Sequence, residues 1–203
     1  MRVHLPIELP MWTDFKAVAD ARGLPIFGID AGWTLMHRFH ARYRLAQACK
    51  GLKFEPTEYT SGVAAGYDAL TRCLLAWSAF EMCAKLVDES RNDLLRRHGA
   101  DAMVTHLSWQ TLAEPFYRVV LENLTHRDHK AEFAKFLQRS QCNPCIVLGA
   151  IRHVFAHGHL TPSAGGGDQL AAASACSDLA GYLMNTVIDA DWTERVEDVL
   201  ARL

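Results

Sequence analysis

Apolar residues recur at helical spacing along almost the whole of this chain, and no run of it alternates apolar and polar residues as a half-buried strand would. That feature restricts the fold to the all-α class. The clearest stretch is YDALTRCLLAWSAFEMCAKLVDE, residues 67–89, in which Leu70, Leu74, Trp77 and Met82 form an apolar stripe.

Stop and start residues divide the pattern. A short helix is expected over residues 13–22, ending at Gly23, and a second over 33–50, ending at Gly51. A long helix is expected over 58–97, ended by His98 and Gly99. Ser108 is a candidate cap for a helix reaching Leu124, with Pro115 as a break or a new first turn. Further helices are expected over 128–139 and 144–157. A last long one starts at Asp168 and is interrupted near 189–191. The expected architecture is an antiparallel bundle of four or five helices over residues 57–203, with residues 1–56 as a helical extension that begins extended and Pro-rich.

The chain has 203 residues, enough for one sizeable core, and a net charge of -2. A general nucleic-acid coat would be basic, so any such contact must come from a local patch. No apolar run approaches the roughly 18 residues of a membrane span. MRVHLPIELPMW is a poor export signal. The expected location is therefore cytoplasmic, with the six cysteines reduced.

The stretch CNPCIVLGAIRHVFAHGHLTP, residues 142–162, stands apart. Asn143 and Pro144 suit a helix start and Gly158 a stop. Ile146, Val147, Leu148, Ala150, Ile151, Val154 and Phe155 sweep a core arc, which leaves Gly149, Arg152, His153, Ala156 and His157 on the other face. That face pairs a permanent guanidinium fork with imidazoles that titrate near neutrality, set among small residues. A solvated helix end, where the dipole favours cations, would look similar. Arg152 and His157 lie about 140° apart on an ideal helix, so a second copy packed against the small residues would be needed to focus them.

IRHVFAHG resembles the signature of HEPN domains, an arginine followed by four to six residues and a histidine, often with a polar residue after the arginine. The resemblance implies an all-α bundle over about residues 60–203. It also implies a metal-independent endoribonuclease of toxin–antitoxin, abortive-infection or other defence type, acting as a homodimer whose two motifs meet in a cleft. It needs no cofactor. In that family His157 would be the general acid or base for attack of a ribose 2′-hydroxyl on the adjacent phosphate. Arg152 would bind that phosphate, and His153 would orient the groups. The partners implied are RNA and an antitoxin or activator protein. Where one branch of the family carries a tyrosine modified by its antitoxin, this chain has His159, so the resemblance does not imply that regulation here.

Two more features bear on this reading. Glu81, within SAFEMC, either faces the motif and pairs with Arg152 or His157, or lies on the helix surface paired with Lys85. HRFHARYRLAQACKGLKF, residues 37–54, has five Lys or Arg and no acid. Arg38, Arg42, Arg44 and Tyr43 are candidate RNA contacts, or else the aromatics are core and the arginines solvated. The CNPC pair has the spacing of a metal or redox site, yet Asn-Pro is explained by capping, and the histidines lie about 12–18 Å further along the helix. No metal is expected. The acidic segment 189–198 is expected to be a solvated face. The alternative to an enzyme is a non-catalytic HEPN-like module that binds a nucleotide, RNA or a protein partner through the same surface.

Overall fold

The computed structural model describes residues 7–54 and 58–203, and every regular element among them is helical. The expected boundary at 56/57 lies outside the described residues, as does most of the extended N-terminal stretch. The first two helices, α1 (Trp12–Arg22) and α2 (Trp33–Ala48), stand where the periodicity puts them. The next, α3 (Ser61–Leu86), starts at Thr60, whose hydroxyl accepts from the Val63 N–H at 3.4 Å.

The expected helix over 58–97 is instead broken at residues 87–90. Asp88 takes a left-handed conformation, φ 52, and the Glu89 N–H donates back to the Ala84 carbonyl at 3.1 Å. Asp88 thus plays the part usually left to glycine at a helix end. Ser90 then caps α4 (Arg91–Arg97), accepting from the Asp93 N–H at 3.1 Å. The helix α5 (Ala100–Ser108) follows. Ser108 ends it instead of starting the next, because its hydroxyl donates to the Thr105 carbonyl at 2.8 Å. A 3₁₀ turn at Thr111–Ala113 leads into α6 (Glu114–Asn123), with Pro115 in its first turn.

Then come α7 (Arg127–Leu137), α8 (Pro144–Ala156) and α9 (Gln169–Gly181), the last capped by the Asp168 carboxylate on the N–H groups of Leu170 and Ala171. The expected interruption of this last helix takes the form of a change of helix type that ends at Asp189. The chain runs on through a π-helical stretch, Tyr182–Asp189, into α10 (Ala190–Leu200).

The centre of the core is α3, packed along α9 and α2 and touching α8. Its buried face holds Leu70, Cys73, Trp77, Phe80, Cys83 and Ala84, while Leu74 and Met82 of the expected stripe are only half-buried. Small residues on both sides, Ala69, Cys73 and Ala76 against Ala172, Ala175 and Cys176, suit a close approach of α3 and α9. Thr60 meets Gln169 at the start of both helices, and Arg72 donates to Ser177 at 3.1 Å further along, so the two run parallel. This corrects the expected antiparallel arrangement of four or five helices. The helices are more numerous, and residues 87–168 carry the chain back to the end from which α3 began.

The N-terminal helices share that core. Trp192 of α10 is buried against Phe15 and Phe39, and its indole N–H donates to the Pro10 carbonyl at 2.8 Å. Beside it, Asp191 departs from the reading of 189–198 as a solvated face, for its side chain is 1 % exposed, whereas Glu194, Glu197 and Asp198 stay exposed. It accepts from Arg97 at 2.6 Å and from Arg195 at 2.8 Å, with His98 at 3.6 Å. Burial alone would raise its pKa, but the nearby His98 and the hydrogen bonds from Arg195 and Arg97 hold it well below the usual carboxylate range.

Candidate functional site

The helix that carries the motif is held firmly at both ends. The Asn143 side chain accepts from the N–H groups of Cys145 and Ile146, and the Asn143 backbone N–H donates to Glu132 at 2.6 Å. At the other end Gly158 turns left-handed, φ 76, and the His159 N–H returns to the Val154 carbonyl at 3.1 Å, which closes a Schellman turn. Val147, Leu148, Ala150, Ile151 and Val154 face the core. Arg152 and His153 lie half-buried at the edge, and His157 and His159 are exposed beyond it.

Arg152 is tied across to α3. It donates to Glu81 Oε2 at 2.9 Å, and the other carboxylate oxygen of Glu81 accepts from Arg91 at 2.8 Å. Of the two readings of Glu81, the structure has the one that faces the motif; Glu81 pairs with Arg152 and Arg91, not with Lys85. Both guanidiniums keep further N–H groups beyond the carboxylate.

The rings of His153 and His157 meet edge to face, centroids 4.5 Å apart. Burial, then the nearby charges of His157, Arg152 and His129, push His153 below its ordinary pKa. At neutral pH it is an unprotonated imidazole that can accept a proton.

A cleft of about 150 Å³ opens here, lined among others by Glu81, Arg91, His129, Arg152 and His153 above a floor that includes Trp77. Gly149 explains that floor. A Cβ there would stand 2.9 Å from the Trp77 ring, so the missing side chain makes room for an indole of the same chain. Gly149 is therefore not part of a free face for a second backbone. Ala156 remains exposed.

Arg91 and His129 were not legible as site residues. One sits in the first turn of a short helix and the other in THRDH, at the start of α7, and only the packing of α4 and α7 around α8 brings them in. His126 follows, its ring 4.8 Å from that of His129. Among the described residues no three His, Cys, Asp or Glu side chains are grouped to hold a metal ion. Burial pushes the Cys142 thiol up to about 11 and that of Cys145 upward too, so both are protonated at neutral pH.

The basic segment of α2 divides by face. Tyr43 and Phe39 are buried, and burial with the nearby Asp189 carboxylate raises the Tyr43 pKa. Tyr43 is therefore withdrawn as a base-stacking residue. Met36, Phe39, His40 and Tyr43 form the inward stripe. Arg38, Arg42 and Arg44 stay on the exposed side. Arg42 reaches Ser78 of α3, one turn from Glu81, and Arg44 stands 3.9 Å from Glu8. No helix among the described residues is long and apolar enough to cross a membrane.

Comparison with protein-family models, with curated proteins and with solved structures found no match to this chain.

Proposed function

We propose that this chain is a metal-independent, HEPN-like endoribonuclease of toxin or defence type, acting as a homodimer. The observation that carries the reading is the arrangement at the end of α8. An arginine anchored by a carboxylate lies beside His153, which is unprotonated at neutral pH and whose ring touches that of His157.

In this reading His157, exposed and free to meet a substrate, is the general acid or base that moves the proton of the ribose 2′-hydroxyl or of the leaving 5′-oxygen. Arg152 stabilises the charge that builds on the phosphate, with Glu81 holding its guanidinium in place. His153 orients His157 through the edge-to-face contact. A second protomer facing the exposed end of α8 brings a second set of the same groups to one phosphodiester. Arg38, Arg42 and Arg44 supply backbone contacts along the substrate. The product is a 2′,3′-cyclic phosphate, and DNA is not cut.

The decisive experiment incubates labelled RNA and the matching DNA with the protein in EDTA, comparing wild type with His157→Ala and Arg152→Ala. The reading requires RNA cleavage that both substitutions abolish, and a solution mass of two chains. RNA binding without cleavage, weakened by the same substitutions, would support instead a non-catalytic module. That second reading draws on the Glu81 pairing, which already engages Arg152.

A further inference from the structure

We propose that Arg91 and Arg152, clipped together by Glu81, form a seat for a single phosphate group of a phosphate ester, with His129 and His153 on its rim. This rests on the ribonuclease reading for its biological meaning, but the seat itself is argued from geometry.

Two guanidiniums from different helices, α4 and α8, share one carboxylate, each on its own oxygen, at 2.8 and 2.9 Å. Bringing two such cations together is unfavourable unless an anion lies between them, and Glu81 supplies it. One carboxylate against two guanidiniums leaves the group with a net positive charge. Each fork keeps unspent N–H donors, and planar forks match the tetrahedral oxygens of phosphate. Arg91 is half-exposed, so an incoming anion reaches it without unfolding anything.

Size limits the ligand. The cleft is about 150 Å³, whereas sites that enclose a whole drug-sized molecule run to about 300–1,000 Å³. It therefore takes a phosphate and leaves the nucleoside outside, so base identity is not read here. Trp77, 2 % exposed, is floor and offers no stacking face.

The groups facing His153 agree with an anion site. His157 and Arg152 on its own helix and His129 on α7 all disfavour its protonation, and Glu81 and Arg91 complete the surroundings. A bound phosphate counters that repulsion, so it raises the His153 pKa.

The test uses inorganic phosphate as the probe, titrated into the full chain in a phosphate-free buffer and followed by calorimetry and by NMR of the histidine ring protons. Saturable binding is expected, with the His153 titration moving to higher pH. Arg91→Ala should weaken binding about tenfold, as loss of a charged hydrogen bond does, and Arg91→Lys should weaken it less. Wild type that does not bind phosphate, or Arg91→Ala that binds as well as wild type while keeping its melting temperature, overturns the seat. Phosphate binding lost in Arg91→Ala from a protein that cuts no RNA keeps the seat and removes the ribonuclease reading. Phosphate binding unchanged in Arg91→Ala, from a protein whose RNA cleavage Arg152→Ala abolishes, removes the seat and keeps the reading.

Discussion

Asp191→Asn tests how the all-helical core tolerates charge. The wild-type carboxylate is 1 % exposed and receives Arg97 at 2.6 Å and Arg195 at 2.8 Å. Asparagine keeps the shape but turns one oxygen into a donor aimed at a guanidinium. Removing one partner of a buried ion pair costs about 3–5 kcal/mol when the other charge is stranded. Here the stranding is incomplete. Arg97 and Arg195 are 38 % and 24 % exposed, and both still face Glu89, at 2.8 and 3.6 Å. The expected loss is therefore about 2–3 kcal/mol. At about 2–4 °C per kcal/mol for a chain of this length, the melting temperature should fall by about 4–12 °C.

The pH dependence gives a second handle on the same residue. The folded pKa of Asp191 lies below its unfolded value, so its stabilisation is complete above about pH 3.9 and is lost as pH falls further. Thermal melts of wild type and variant should differ by a constant amount from neutrality down to about pH 4 and converge below it. Equal melting temperatures at pH 7, or a gap that closes near neutrality, would refute the account of a buried carboxylate held ionised by two guanidiniums.

Gly149→Ala should gain about 1 kcal/mol of helix propensity and lose about 1–3 kcal/mol by pressing on Trp77. The net is destabilising by urea titration, and the loss should shrink in a Trp77→Phe background. Protonating His153 is harder in the folded chain than in the unfolded one, so stability should decline as pH falls below about 6.5. That decline should be smaller in His153→Gln, measured by melts from pH 7 to 5. Cys73, Cys83 and Cys176 are fully buried with raised pKa values, so a thiol reagent should label them only after denaturation. Rapid labelling of all six thiols in the native protein would contradict the packing of α3 on α9.

Helix existence was legible in this sequence, and several ends were not. The ends that obeyed glycine and Asn-Pro rules, at Gly23, Asn143 and Gly158, fell where expected. The break after Leu86 was missed because an aspartate supplies the left-handed turn; Arg139 does the same after α7. The serine of the broken stretch was readable, since Ser90 and Asp93 have cap spacing, while Ser108 offered a cap and was used to finish a helix instead. At the site, Arg152, His153 and His157 could be picked out because they share one helix. Arg91 and His129 could not, since tertiary packing alone unites four helices. Tyr43 shows the converse, for its one-turn spacing from Phe39 fits a binding strip and a core stripe equally, and burial decided between them.

The side-by-side course of α3 and α9 has a consequence for synthesis. Partners such as Arg72 and Ser177 are separated by 105 positions, so the central apolar helix leaves the ribosome long before its main neighbour has been translated. Until then it must be shielded by transient contacts or by a chaperone, and a chain truncated before α9 should emerge insoluble instead of folding as a shorter version of itself.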